Sequence, residues 1–181
     1  VLVDNRGAAQ AAVERLFLAG HRKIGMIAGP EHVFTARERY LGYEEAFKKA
    51  GIEVQDSLVV HGDYTIAGGA RAMKELAKQN PQMTAVFVSN YEMTVGAMIE
   101  SNEIGIRIPE DLSVIGFDNI EFAKASNPKL SIVTQPTKEI GRNVAELILD
   151  RLDNPTREMP PKEMKLKTSF VEGKSVHMLS V

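Results

Sequence analysis

Apolar residues along this chain recur in two alternating rhythms. Between residues 8 and 19 they fall at Ala9, Ala12, Val13, Leu16 and Phe17, the three-and-four spacing of one helical face. Gly20 follows as the expected residue just past the helix end, where a positive φ costs glycine little. Residues 23–28 are then a short run, apolar from Ile24 onward, the pattern of a buried strand, closed by Gly29-Pro30. The exchange repeats down the chain. A helix capped by Thr35 is expected to run to about Ala50 and to stop at Gly51. Residues 57–61 read as a strand, and 68–79 as a helix ending at Asn80-Pro81. Further strands are expected at 85–88, 113–116 and 130–133, with helices at 92–101 and 121–124 between them. Pro136 stands near the first turn of a helix reaching about Leu152, because proline lacks only a hydrogen that this turn leaves unpaired. Residues 164–171 are extended and half polar.

Strands separated by helices at this spacing predict an α/β fold, a parallel sheet flanked by helices. In such sheets ligands bind beyond the carboxyl ends of the strands. The loops worth reading are therefore 29–39, 62–65, 89–93 and 116–120. Asp118 directly follows a strand, and a carboxylate there accepts from vicinal hydroxyls or a ring N–H; a turn or cap aspartate looks the same in sequence. Asn90 offers a donor and an acceptor, as polyol recognition requires, and equally suits a helix cap. Arg37 and Arg39 are two apart on one helix, so only one is expected to reach the crevice; the other is a solvated helix residue. Tyr64 presents a flat ring to a sugar or base, or packs.

Composition narrows the function. With 22 Lys and Arg against 24 Asp and Glu, the net charge is -2, which excludes nucleic-acid binding driven by a basic excess. There is no cysteine, hence no disulfide or thiolate chemistry, a usage that fits a reducing compartment. Apolar runs are too short to span a bilayer, so no membrane partner is expected. The four histidines are scattered singly, which argues against a metal cluster. Neither a nucleophile elbow, a phosphate loop, a zinc-protease helix nor a dinucleotide fingerprint is present; no catalytic residue and no cofactor are expected. Val1 is not a start methionine and residues 1–3 already read as a strand, so the chain is expected to begin within a longer protein. Residues 154–162, with three prolines, form the best candidate connector.

Five segments, in order, resemble one family. They are LAGHRKIGMIAGP at 18–30, RERYLGYEEAF at 37–47, PQMTAVFVSNYEMTVG at 81–96, IPEDLSVIGFDN at 108–119 and LSIVTQP at 130–136. Together they are similar to the signature runs of lactose-repressor-type (LacI/GalR) bacterial transcription regulators. The resemblance implies a two-lobed, periplasmic-binding-protein-like sensor with a small effector held between lobes. It implies that Arg39 clamps effector hydroxyls or a carboxyl group, that Asp118 is the acidic contact and Asn90 the amide contact. Tyr64 falls where the family places a stacking aromatic, Gln135 at a crossover between lobes, and Thr35 where some members use a hydroxyl. The chain departs from the pattern at Tyr91, where the family's usual Asn-Asp pair loses its carboxylate, and at Val33, where purine-sensing members carry a charge.

By the same resemblance, residues 1–132 are the second lobe, 133–161 a returning piece of a first lobe that is otherwise missing, and 162–181 a tail rejoining the second. Helix 136–152 carries an apolar stripe at Ile140, Val144, Leu147, Ile148 and Leu152 that expects a partner sheet, so it is expected to be displaced, self-associated or poorly ordered. The implied protein is a cytoplasmic homodimer, pairing through the helix near residues 93–99 and the segment after Asp118, that reads operator DNA only through an N-terminal helix-turn-helix head absent from this chain. Its effector would be a sugar, sugar phosphate or purine-like molecule. Two rivals share the fold: a sugar-binding transport protein, and a sugar-processing enzyme, which would need a placed acid, base or metal site.

Overall fold

A computed structural model describes residues 1–153 and 163–179. Its elements alternate as the spacing predicts. β1 (Leu2–Val3) leads into α1 (Asn5–Leu18), β2 (Ile24–Ala28), α2 (Phe34–Ala50), a 3-10 turn (Asp56–Leu58) and β3 (Val59–His61). Then come α3 (Ile66–Gln79), β4 (Ala85–Val88), α4 (Tyr91–Glu103), β5 (Ser113–Phe117), α5 (Ile120–Ala125) and β6 (Ser131–Thr134). The chain continues with α6 (Thr137–Asp153), β7 (Lys165–Leu166) and β8 (Ser169–Val171). The main sheet has the order β3-β2-β4-β5-β6-β8. Its first five strands are parallel, and β8 runs antiparallel beside β6, with Val133 opposite Phe170. β1 and β7 form a separate parallel pair, Leu2 opposite Lys165 and Val3 opposite Leu166.

Both faces of the main sheet are covered, which is why its strands are apolar without interruption. Met26, Phe87, Ile115 and Phe117 face α1 and α2, where Val13, Leu16, Tyr43 and Phe47 pack. Their strand neighbours Ile27, Val86, Val88 and Val114 point the other way, against Ala72, Met73, Leu76 and Met93. α3 and α4 cross closely because Gly69 and Gly96 lie at the contact. A Cβ on Gly96 would overlap the Ile66 carbonyl, and one on Gly69 the Met93 backbone.

Local chemistry sets the boundaries. Gly20 (φ 93°) and Gly51 (φ 70°) close α1 and α2 in the left-handed region, as expected of them. The Asp4 carboxylate accepts from Gly7 N at 3.2 Å and starts α1 earlier than apolar spacing suggests. The Thr65 hydroxyl does the same for α3, accepting from Gly68 N at 2.9 Å. Thr35 does not cap α2. That helix begins at Phe34 behind Val33, with no side-chain cap, because Thr35 already lies in the first turn. Residues 56–58 form a 3-10 turn in place of the first half of the expected strand.

α6 is a continuous helix. Among its side chains only Asn143 is buried; Ile148 is 53% and Leu152 68% exposed. The apolar stripe is therefore real, and the helix is formed with Val144, Ile148 and Leu152 of that stripe exposed and Ile140 and Leu147 half-buried.

Candidate functional site

The parallel strands deliver their carboxyl ends to one edge, and the six candidate residues gather there. Arg39 lies in the second turn of α2 and is 5% exposed. Its guanidinium stacks on the Phe117 ring, with Cζ 3.7 Å from the centroid. Nε donates to Asn5 Oδ1 at 2.8 Å and Nη1 to the Ser89 carbonyl at 2.5 Å. These bonds replace the water that burial removes; they use only part of its five-donor fork. Burial lowers the Arg39 pKa, a shift that the nearby Asp118 carboxylate opposes. Arg37, two residues earlier, stays exposed beside the Phe34 ring. One of the two arginines reaches the strand ends, as helical geometry requires.

Asp118 follows Phe117 immediately, so the β5 end presents a stacking ring below and a carboxylate above. Its backbone N donates to Val133 O at 2.7 Å, and its Oδ2 accepts from Gln135 Nε2 at 2.6 Å. Burial is the main influence on this carboxyl and pushes its pKa up. The Gln135 bond and the Arg39 charge pull it down, and Glu92 pushes it up again. Asp118 (φ 67°) and Asn119 (φ 59°) both hold left-handed backbone without being glycine. Asn119 explains half of this pair, since its side chain accepts from Phe122 N at 2.9 Å and caps α5. A concavity of about 480 Å³ opens beside Asp118, Thr134, Gln135 and Thr137.

Tyr64 (φ 64°) closes the other side. Its ring lies flat enough on Gly29 that any Cβ there would collide with it. Its hydroxyl is 3.4 Å from Thr35 Oγ1, which brings Thr35 into the group by its first-turn position rather than as a cap. Asn90 caps α4: Oδ1 accepts from Met93 N at 3.0 Å. Nδ2 donates to Glu92 Oε2 at 2.8 Å.

Three neighbours were not singled out by sequence reasoning. Glu92 restores a carboxylate near Asp118, one residue after the position where Tyr91 replaces one; Tyr91 itself packs edge-on to Phe122, centroids 5.6 Å apart. Asn5 holds Arg39 from 34 residues away. His61 donates from Nδ1 to Gly29 O at 2.9 Å, which turns Nε2 toward Glu31 at 3.4 Å. Only the first carried a usable signal, the acidic residue adjacent to a lost acidic position.

The arrangement can hold vicinal hydroxyls between a carboxylate, an amide and a guanidinium, against an aromatic ring. Among the described residues no group of three or more His, Cys, Asp or Glu is placed to hold a metal ion. Among them too, no helix is long and apolar enough to cross a membrane.

Fold and strand-end crevice together define an open α/β domain with a polar edge, and comparison with known proteins gives it a lineage. Residues 13–176 match the family described as periplasmic binding protein-like domain. This chain belongs to that family, and its relatives are lactose-repressor-type regulators. It is 38% identical over 173 residues to the HTH-type transcriptional regulator CelR of Thermobifida fusca, covering 96% of this chain and 50% of the relative. It is 40% identical over 152 residues to the HTH-type transcriptional repressor CytR of Escherichia coli K12, covering 84% and 45%. A solved transcriptional regulator CelR–cellobiose complex superposes with a TM-score of 0.90 at 38% identity, over 96% of this chain and 52% of that one. The chain thus spans about half the length of the curated relatives it matches.

Proposed function

We propose that this chain is the effector-sensing and dimerising portion of a DNA-binding transcriptional repressor, and that its effector is a sugar or sugar derivative bound at the strand ends. The observation that carries the reading is the Arg39–Phe117–Asp118–Gln135 constellation at the strand ends: a cation stacked on a ring, and a carboxylate bonded to an amide beside a concavity. Tyr64, Thr35 and Asn90 complete the contact set. The cellobiose bound by one relative agrees in chemical class. That the relatives are regulators favours sensing over transport.

In this reading the protein works in the cytoplasm without a cofactor. Residues 1–132 and the tail form one lobe, and α6 belongs to a second lobe that closes over the effector. Closure selects one lobe orientation and so sets the spacing of two operator-reading heads across a homodimer, each head lying outside this chain. Dimer contact falls on the outer face of α4 and α5. There Met98, Ile99 (49% exposed) and Phe122 border an open groove of about 940 Å³.

Thermal unfolding with a panel of sugars, sugar phosphates and purines tests the site. A ligand that binds only the folded chain raises the midpoint, by about 2.7 kcal/mol of stability at a hundredfold excess over Kd. We expect a sugar to do so in the wild type and not in Asp118→Ala. A shift of equal size in both would remove the effector from this crevice.

A further inference from the structure

Asn5 occupies the first residue of α1, far in sequence from the strand-end loops of the main sheet, yet it is 4% exposed and bonded on both sides of its amide. Oδ1 accepts from Arg39 Nε at 2.8 Å. Nδ2 donates to the carbonyl of Val3 at 3.1 Å. Val3 is in β1, whose one ladder among the described residues is with β7. The neighbourhood of that ladder is itself tied down. Leu2 N donates to Met164 O at 2.7 Å, Asp4 N donates to Leu166 O at 2.9 Å, and Lys165 Nζ pairs with the Asp4 carboxylate at 2.7 Å.

We infer that Asn5 is a positioning residue for the ligand clamp, transmitting the place of the β1–β7 strap to the orientation of the Arg39 guanidinium. The inference rests on the effector site proposed above. The geometry leaves Arg39 few other restraints. Its stacking on Phe117 is weakly directional, because a cation above a ring is held by a broad electrostatic attraction. The Ser89 carbonyl fixes one end, through Nη1. One hydrogen bond is a pivot; the second, from Nε to Asn5, turns the pivot into a fixed plane. The amide is suited to the role by having a donor and an acceptor on one short arm. It reads the backbone of β1 with one atom and the clamp with the other. Any displacement of the strap moves Val3 O, and through the amide it rotates the donors that meet the effector.

Nitrogen-15 NMR of the Arg39 Nε–H, assigned by its loss in Arg39→Lys, reads this contact without any effector. The wild-type signal should be ring-current shifted and should exchange slowly with solvent. A hydrogen bond to a charged donor is worth enough that its loss speeds exchange by about tenfold or more. We therefore expect Asn5→Ala to bring exchange toward that of exposed arginines, and Asn5→Asp, which keeps an acceptor at the same reach, to restore protection. Circular dichroism on the same samples establishes that each variant is folded; should Asn5→Ala not fold, Asn5→Ser, too short to bridge, takes its place with the same expected loss. An Arg39 signal in the shortened variant that overlays the wild type would overturn the inference, as would an Asn5→Asp variant that loses protection as fully. A sugar that fails to bind leaves these readings unchanged, so failure of the effector site and failure of the positioning role are distinguished.

Discussion

At the scale of single residues, the informative side chains are those that lose water and must be compensated. His21 is 1% exposed and bridges Thr84 Oγ1 and the His177 carbonyl, each at 3.0 Å. The carbonyl can only accept, so Nε2 carries the hydrogen and Nδ1 accepts from Thr84. Burial lowers the His21 pKa below 6.5; the His177 carbonyl opposes that shift, while the His177 ring and Arg22 add to it. The neutral ring's contribution to stability is complete above the unfolded value and is lost as pH falls through the folded one. Thermal midpoints measured from about pH 7.5 downward should therefore fall more steeply for the wild type than for His21→Gln, whose side chain cannot titrate. Parallel curves would remove His21 from the account. Residue-level roles were unevenly legible. Asp118 stands directly after a strand and Arg39 within a periodic helix, so their placement follows from the pattern. Asn5 and His21 act on partners 34 and 156 positions away, and no local pattern encodes such a meeting.

At the scale of elements, the sequence reading located almost every helix and strand, because buried parallel strands are apolar on both faces and helix ends carry glycine. It erred at starts. Asp4 and Thr65 act as caps from positions that look like loop residues, and Thr35, which looks like a cap, lies inside α2. The α3–α4 crossing was not legible at all, since Gly69 and Gly96 are ordinary helix residues until two backbones approach. Gly96→Ala should cost about 1–3 kcal/mol in urea unfolding through overpacking, although alanine is the better helix former. A variant as stable as the wild type would mean that the crossing relaxes freely. α6 shows the opposite relation: its stripe was legible at Val144, Ile148 and Leu152, and these positions stay exposed. Periodicity predicts an apolar face, whereas what covers it is a property of tertiary structure.

At the scale of the whole molecule, the α4–α5 groove and the concavity beside Asp118 share no lining residue, which allows the proposed ligand and subunit contacts to be tested separately. Ile99 is 49% exposed and Met98 borders the same groove. Ile99→Asp places a charge in the proposed homodimer contact and should convert dimer to monomer in sedimentation velocity without changing a sugar-induced thermal shift. A variant that stays dimeric would move the contact elsewhere, and a wild type that is already monomeric would overturn the homodimer. The main sheet also closes late in the chain. β6 has β8 as its outer neighbour, and the tail beyond it reaches back across the fold: Ser175 Oγ donates to Val114 O at 2.6 Å, and Leu179 N donates to Ala19 O at 2.8 Å. During synthesis the chain leaves the ribosome from its N-terminal end, so β6 emerges with an unpaired edge and must wait for about 35 more residues before its neighbour arrives. Throughout that interval the nascent sheet offers a template to any other extended strand, so the order of synthesis itself leaves open a route to wrong pairing.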